Sequence, residues 1–141
     1  MLYALSEEGV RYLLVGAYAL AVHGHVRATG DMDLWVERGE DNASRVMAAL
    51  KRFGAPLGGI EARDFQTPDT VFQIGVAPRR IDLLTTIDAV EFEEAWRERE
   101  EVEVVGLKVP VVGRRHLLRN KRATGRPKDE SDARLLEGEE E

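Results

Sequence analysis

Tyr12-Leu13-Leu14-Val15-Gly16-Ala17-Tyr18-Ala19-Leu20-Ala21-Val22-His23-Gly24-His25-Val26-Arg27-Ala28-Thr29-Gly30-Asp31-Met32-Asp33-Leu34-Trp35-Val36 is the stretch on which the fold turns. It opens inside Val10–Val15, a β-prone apolar run that reads as a buried strand. Gly16 breaks the run, and Ala17–His23 reads as a short helix ended by Gly24. After a loop to Gly30, residues Asp31–Glu37 alternate. Met32, Leu34 and Val36 fall on one face, and Asp31, Asp33 and Trp35 on the other. Such alternation is a strand.

Working outward, Leu2–Glu8 reads as a helix closed by Gly9. Downstream, Asp41–Phe53 carries Val46, Ala49, Leu50 and Phe53 at helical spacing, with Asp41 or Asn42 as cap. Gly54–Gly59 is a loop, and Ile60–Thr67 has no decisive pattern. Thr70–Val76 and Arg80–Ile87 read as strands, Ala89–Arg99 as a helix, and Val102–Val112 as a hairpin turning near Gly106. Arg114–Thr124 and Asp129–Leu136 read as helices separated by Gly125-Arg126-Pro127. Strands and helices interleave, with hairpins among the strands. This predicts an α/β (α+β) fold in which helices flank a mixed sheet. One domain is expected over residues 1–136, with an acidic, disordered tail over 137–141.

Composition narrows the chemistry. A chain of 141 residues suits one domain with one core. It contains no Cys, which excludes disulfides, thiolate nucleophiles and Cys-based metal sites. No apolar run is long enough to span a membrane, and the N-terminus lacks the basic region of a signal peptide, so a cytoplasmic protein is expected. The net charge is -6, yet Arg114–Lys128 holds Arg114, Arg115, Arg119, Lys121, Arg122, Arg126 and Lys128 and no acid before Asp129. A net acidic chain with one basic segment points to a local anion site rather than a general nucleic-acid coat.

Asp31 and Asp33 stand at i and i+2 on a strand, hence on one face about 6.6–7 Å apart. Two carboxylates in an otherwise apolar strand are costly unless they are solvated or hold a cation. Hard oxygen donors suit Mg²⁺, and carboxylates at this spacing can bridge two ions. Asp82 lies in the strand Arg80-Ile81-Asp82-Leu83-Leu84. If that strand neighbours the first, Asp82 completes a metal-binding triad in which one carboxylate acts as base. Gly16 and Ala17 sit at a strand-to-helix junction, where free N–H groups receive phosphate. Arg27 and Thr29 offer a charged fork and a hydroxyl donor just before the Asp pair, and Lys121, Arg126 and Lys128 offer further cations.

In these residues the chain resembles the nucleotidyltransferase superfamily with the DNA polymerase β-type fold. There a Gly-Gly or Gly-Ser turn precedes a D-x-D strand, and a third carboxylate follows on a later strand. The late segment Asn120-Lys121-Arg122-Ala123-Thr124-Gly125-Arg126-Pro127-Lys128-Asp129, followed by Asp132, is most similar to the small AbiEii-type, toxin-like members. The resemblance spans Val10 to Leu136. It implies Asp31 and Asp33 as metal ligands, Asp82 as third carboxylate, Gly16 and Ala17 on phosphate, Lys121 on the nucleotide, and Asp129 orienting the basic residues. Ala17 stands where Gly or Ser is usual; it keeps the N–H and drops any hydroxyl contact. The implied activity is Mg²⁺-dependent transfer of a nucleoside monophosphate from an NTP (ATP, CTP, GTP or UTP). The acceptor is a hydroxyl on an RNA end such as tRNA, on a protein or on a small molecule. A chain this small also fits completion by a partner protein or a second copy.

Plainer readings stand beside these. Asp31 and Asp33 alone would also suit a solvated strand edge, and Asp82 would suit a surface pair with Arg79 or Arg80. His23 and His25 read as satisfied polar positions rather than zinc ligands, and His116 as solvated on a basic helix. Trp35 and Trp96 read as packing residues, although Trp35 shares the Asp31/Asp33 face and is the better base-stacking candidate. Two other functions compete with transfer. One is a non-catalytic nucleotide-binding module acting through a partner, such as one half of a toxin–antitoxin pair. The other is a two-metal hydrolase.

Overall fold

Six strands form one mixed sheet in the computed structural model, which describes residues 1–24, 31–76 and 80–138. The elements are α1 (Leu2–Glu7), β1 (Tyr12–Val15), α2 (Gly16–Val22), β2 (Asp31–Val36), α3 (Glu40–Phe53), a 3-10 helix (Ala62–Gln66), β3 (Val71–Ile74), β4 (Arg80–Leu84), α4 (Phe92–Arg97), β5 (Glu100–Val104), β6 (Leu107–Val111), α5 (Arg114–Thr124) and α6 (Pro127–Gly138). The strand order is β3-β4-β2-β1-β6-β5. β2 runs parallel to β4 and β1 parallel to β6, while β1–β2, β3–β4 and β5–β6 are antiparallel. The expected mixed sheet with flanking helices is what forms.

The central strands explain why the core sits where it does. All four residues of β1 are buried, and the apolar half of β2, Leu34 to Val36, is buried with them. Their registers pair Leu14 with Leu34 and Leu34 with Leu83, so one apolar row crosses three strands. Each such fully buried side chain contributes roughly 1.5–3 kcal/mol. Helix α3 adds Ala43, Val46, Ala49 and Leu50 from its buried stripe. It ends at Gly54, whose φ of 84° closes the last turn on the Leu50 carbonyl.

Several boundaries differ from the expectations, each for a local reason. The undecided segment at 60–67 holds a 3-10 helix, because Glu61 and Asp64 cap each other's backbone and Phe65 is driven into the core. β4 stops at Leu84, and the next residue, Thr85, bonds the Thr67 carbonyl through its hydroxyl (2.7 Å), which also accepts the Thr70 N–H (2.9 Å). Helix α4 starts at Phe92 rather than Ala89, since Ala89 adopts φ 65° inside a turn bridged between Ile87 and Val90. The hairpin begins at Glu100, two residues early: glutamates are tolerated on the outermost strand. Helix α6 starts two residues early at Pro127, a residue pre-set for the first helical position, and it runs through Glu137 and Gly138, which were expected in the tail. Among the described residues no helix is long and apolar enough to cross a membrane.

Asn42 ties the start of α3 to the central strands. Its Oδ1 accepts the Arg11 N–H (2.7 Å), and its Nδ2 donates to the carbonyls of Glu37 (2.7 Å) and Arg11 (3.1 Å). Removing it strands two partly buried backbone groups, the Arg11 N–H and the Glu37 carbonyl, whereas the Arg11 carbonyl keeps the Glu37 N–H at 3.1 Å. Asn42→Ala is expected to lower unfolding free energy by about 1–3 kcal/mol in urea titration; a loss below about 0.5 kcal/mol would show that water replaces these bonds.

Candidate active site

The site begins with strand register. β2 and β4 pair so that Asp33 lies opposite Asp82 and Asp31 opposite Arg80. Neighbouring strands stand about 4.8 Å apart and paired residues share a face, so the three carboxylates gather at one end of the sheet. On the other side of β2, Val15 pairs with Asp33 and delivers Gly16 next to it. A Cβ at Gly16 would lie 2.4 Å from Asp33 Oδ2, and the residue has φ 69°. Both facts demand glycine here. The bend places the start of α2 against the Asp33 carboxylate.

The opposite wall comes from α5 and α6. Lys121 is only 6% exposed, and its Nζ is held between Asp129 Oδ1 (3.0 Å) and Asp132 Oδ2 (3.2 Å). Asp129 Oδ2 accepts bonds from Thr124 Oγ1 (2.7 Å) and Arg126 Nε (2.7 Å). Burial pushes the Asp129 carboxyl up. The hydrogen bonds from Thr124 and Lys121 and the charges of Lys121 and Arg126 outweigh that, and hold it below its ordinary value. Asp129 thus ties Lys121, Thr124 and Arg126 together.

Gly16, Ala17, Asp31, Asp33, Asp82, Lys121, Arg126 and Lys128 line a single cleft of about 250 Å³, together with Arg80 and Asp129. Every candidate site residue among the described residues is therefore in one place; Arg27 and Thr29 lie outside them, as does His25. Past Gly16, Asp33 and Lys121 the cleft adjoins a second cavity of about 210 Å³, lined also by Leu84, Thr86, Ile87, Asp88 and Asn120.

The charges are divided between the walls, with Asp31, Asp33 and Asp82 on the strands and Lys121, Arg126 and Lys128 on the helical side. Burial pushes the Asp33 carboxyl up, and the charges of Asp82 and Asp31 push it further; Lys121 and Arg80 only partly oppose them. Asp82 is 7% exposed, and its Oδ1 has no hydrogen-bond partner. An acceptor-rich pocket of hard oxygens fits a divalent cation by its donor chemistry. The expected metal triad is nevertheless not pre-assembled. Among the described residues no three such groups stand at metal-holding spacing. Arg80 stands among them, reaching Asp31 Oδ2 at 2.8 Å and Asp82 Oδ1 at 3.2 Å.

Arg80 is the cleft residue that the sequence reading left among plain surface pairs. The signal for it was the i, i+2 spacing to Asp82 on one strand. One other side chain sits differently from expectation. His116 is fully buried rather than solvated, because α5 turns it towards Glu94, whose Oε1 lies 3.5 Å from Nε2. Trp35 is a packing residue, not a stacking platform: it is 2% exposed, donates to the Thr85 carbonyl (3.3 Å) and meets Phe92 edge-on. His23 is satisfied by the Val112 carbonyl at 3.0 Å.

The raised Asp33 pKa has a sign. A carboxyl whose folded value exceeds its unfolded one destabilises the fold wherever it is ionised, and that penalty fades as pH falls through the folded value. Asp33→Asn is therefore expected to raise the thermal midpoint at pH 7 by about 2–6 °C in metal-free buffer, a gain that shrinks towards pH 4. A lower midpoint at pH 7 would contradict the charge balance described above.

No family model and no curated protein matches the chain. Among solved structures, the chain is similar to TM1012 from Thermotoga maritima, a protein provisionally named a nucleotidyltransferase. The likeness has a TM-score of 0.61 at 15% identity and covers 98% of this chain and 88% of that one. The chain therefore has a nucleotidyltransferase-like fold.

Proposed function

We propose that the protein is a cytoplasmic, Mg²⁺-dependent nucleotidyltransferase of the small AbiEii-type kind. It would move a nucleoside monophosphate from an NTP to a hydroxyl acceptor: an RNA end, a protein or a small molecule. The observation that carries this is the in-register gathering of Asp31, Asp33 and Asp82 in a cleft whose far wall is basic. A nucleotidyltransferase-like fold around it supports the reading.

Each residue then has a task that follows from its position. Gly16 and Ala17 offer backbone N–H groups to phosphate at the bend beside Asp33. Arg126 and Lys128, exposed at the rim, meet the triphosphate charge, and Arg27 and Thr29 are assigned to the same task. Lys121, fixed by Asp129 and Asp132, sets a positive charge beside Asp33. The second cavity gives the nucleoside room beyond the phosphates. Asp31, Asp33 and Asp82 would hold Mg²⁺, which when bound supplies charge neutralisation for the phosphoryl group. The acceptor oxygen bonds to the α-phosphorus while the bond to the pyrophosphate oxygen breaks, and Asp82, with an unfilled Oδ1, takes the hydroxyl proton.

Arg80 favours a second reading, since it already engages two of the carboxylates. In that reading the chain binds a nucleotide without transfer and acts through a partner protein, as one half of a toxin–antitoxin pair would.

The test is incubation with each labelled NTP, Mg²⁺ and cell extract, followed by identification of the labelled product. Transfer of label, reduced at least about 100-fold in Asp31→Asn and Asp33→Asn, is the expected outcome. Nucleotide binding with no labelled adduct selects the partner-dependent module, and free monophosphate selects hydrolysis. Equal transfer by the parent and both variants refutes the assignment.

A further inference from the structure

Arg80 occupies the middle of the acidic cluster. Strand pairing puts it there: it lies opposite Asp31 across the β2–β4 ladder and two residues before Asp82 on the same face. Its contacts are unequal. Nη2 donates to Asp31 Oδ2 at 2.8 Å, a short and well-aligned bond, and reaches Asp82 Oδ2 at only 3.4 Å. Nε approaches Asp82 Oδ1 to 3.2 Å, yet the alignment is too poor for a hydrogen bond, and both atoms remain buried without one. The Asp82 side chain is 10% exposed. A guanidinium fork at rest grips one carboxylate with two parallel bonds. Here the fork is split between two carboxylates and completes neither grip.

Charge points the same way. Among the described residues Arg80 is the cation in contact with both Asp31 and Asp82, while Lys121 is held by Asp129 and Asp132. Arg80 is also a third exposed, so solvent and ligand can reach it.

Building on the reading of the cleft as a divalent-cation-dependent nucleotide site, we propose that Arg80 is its resident counter-cation, displaced when a divalent cation arrives. The cation takes over the oxygens of Asp31 and Asp82. Arg80 keeps its charge, leaves the carboxylates and turns its fork to the oxygens of the triphosphate. It is a positioning residue: it keeps the carboxylates together before loading and holds down their affinity for free metal. Metal and triphosphate then bind cooperatively, because each completes a partner for the group that the other releases.

The experiment uses Mn²⁺ alone, without nucleotide, on the full chain. Bound and free Mn²⁺ are separated by electron paramagnetic resonance, and the thermal midpoint is read in EDTA. Arg80→Gln is expected to bind Mn²⁺ about tenfold more tightly than the parent while melting a few degrees lower in EDTA. Arg80→Lys, which keeps the charge and loses the fork, falls between them. An arginine with a purely structural role would give weaker Mn²⁺ binding on removal. A measurement without substitution accompanies these: the Arg80 Nε–H resonance should move and saturate as Mg²⁺ is added to the parent. Unchanged or weaker Mn²⁺ binding in Arg80→Gln, or an unmoved resonance at saturating Mg²⁺, overturns the inference while leaving the cleft a metal site. Absence of Mn²⁺ binding in the parent and both variants overturns this inference and the reading beneath it together.

Discussion

Asp33 and Asp82 sit in register on neighbouring parallel strands, and their mutual repulsion is the constraint around which the rest is arranged. At strand spacing, with the screening typical of a protein surface, two such charges repel by about 3 kcal/mol. The same ladder carries Leu34 against Leu83 and Trp35 against Leu84. Burial of Leu34, Leu83 and Trp35 contributes roughly 1.5–3 kcal/mol each. The apolar end of the ladder therefore outweighs the acidic end, and the register holds. Burial first, and this repulsion after it, raise the Asp33 pKa.

Two cations answer that charge in different ways. Lys121 is locked by two buried carboxylates, so it acts on Asp33 as a fixed charge rather than a mobile arm. Arg80 is a third exposed and incompletely bonded, so it can exchange its partners. Gly16 serves the same centre by absence: any side chain there would collide with the Asp33 carboxylate. A locked lysine, a loose arginine and a missing Cβ together leave oxygen acceptors facing a basic rim, which is the arrangement a polyphosphate with its cation would fit.

Much of this could be read from the residues because the relevant patterns are local. Alternation in Asp31–Val36 placed both carboxylates on one face, and the strand–glycine–helix run placed Gly16 at the bend. The partnership of Asp33 with Asp82 depends on which strands become neighbours, a non-local fact that spacing alone leaves open. The sequence leaves Arg80 open between a surface pair and a cleft residue, because it does not carry depth: the same Arg-x-Asp spacing serves a solvated edge or a cleft. His116 shows the converse error. A basic helix suggests an exposed histidine, but α5 buries the stripe of Leu117, Leu118 and Lys121, and His116 goes in with it. Element ends moved by two or three residues for local reasons: β4 stops before Thr85, α4 starts after the Ala89 turn, and α6 starts at Pro127.

The claim at the centre is that residues 31, 33 and 82 share one divalent cation in the cleft. The most direct measurement is a crystal structure with Mn²⁺ and a non-hydrolysable NTP, using the anomalous signal of the metal. The account predicts a peak about 2.1 Å from carboxylate oxygens of Asp31, Asp33 and Asp82, with the Arg80 guanidinium moved off Asp31. An ordered nucleotide with no metal peak among these three, and Arg80 still bonded to Asp31, would contradict it.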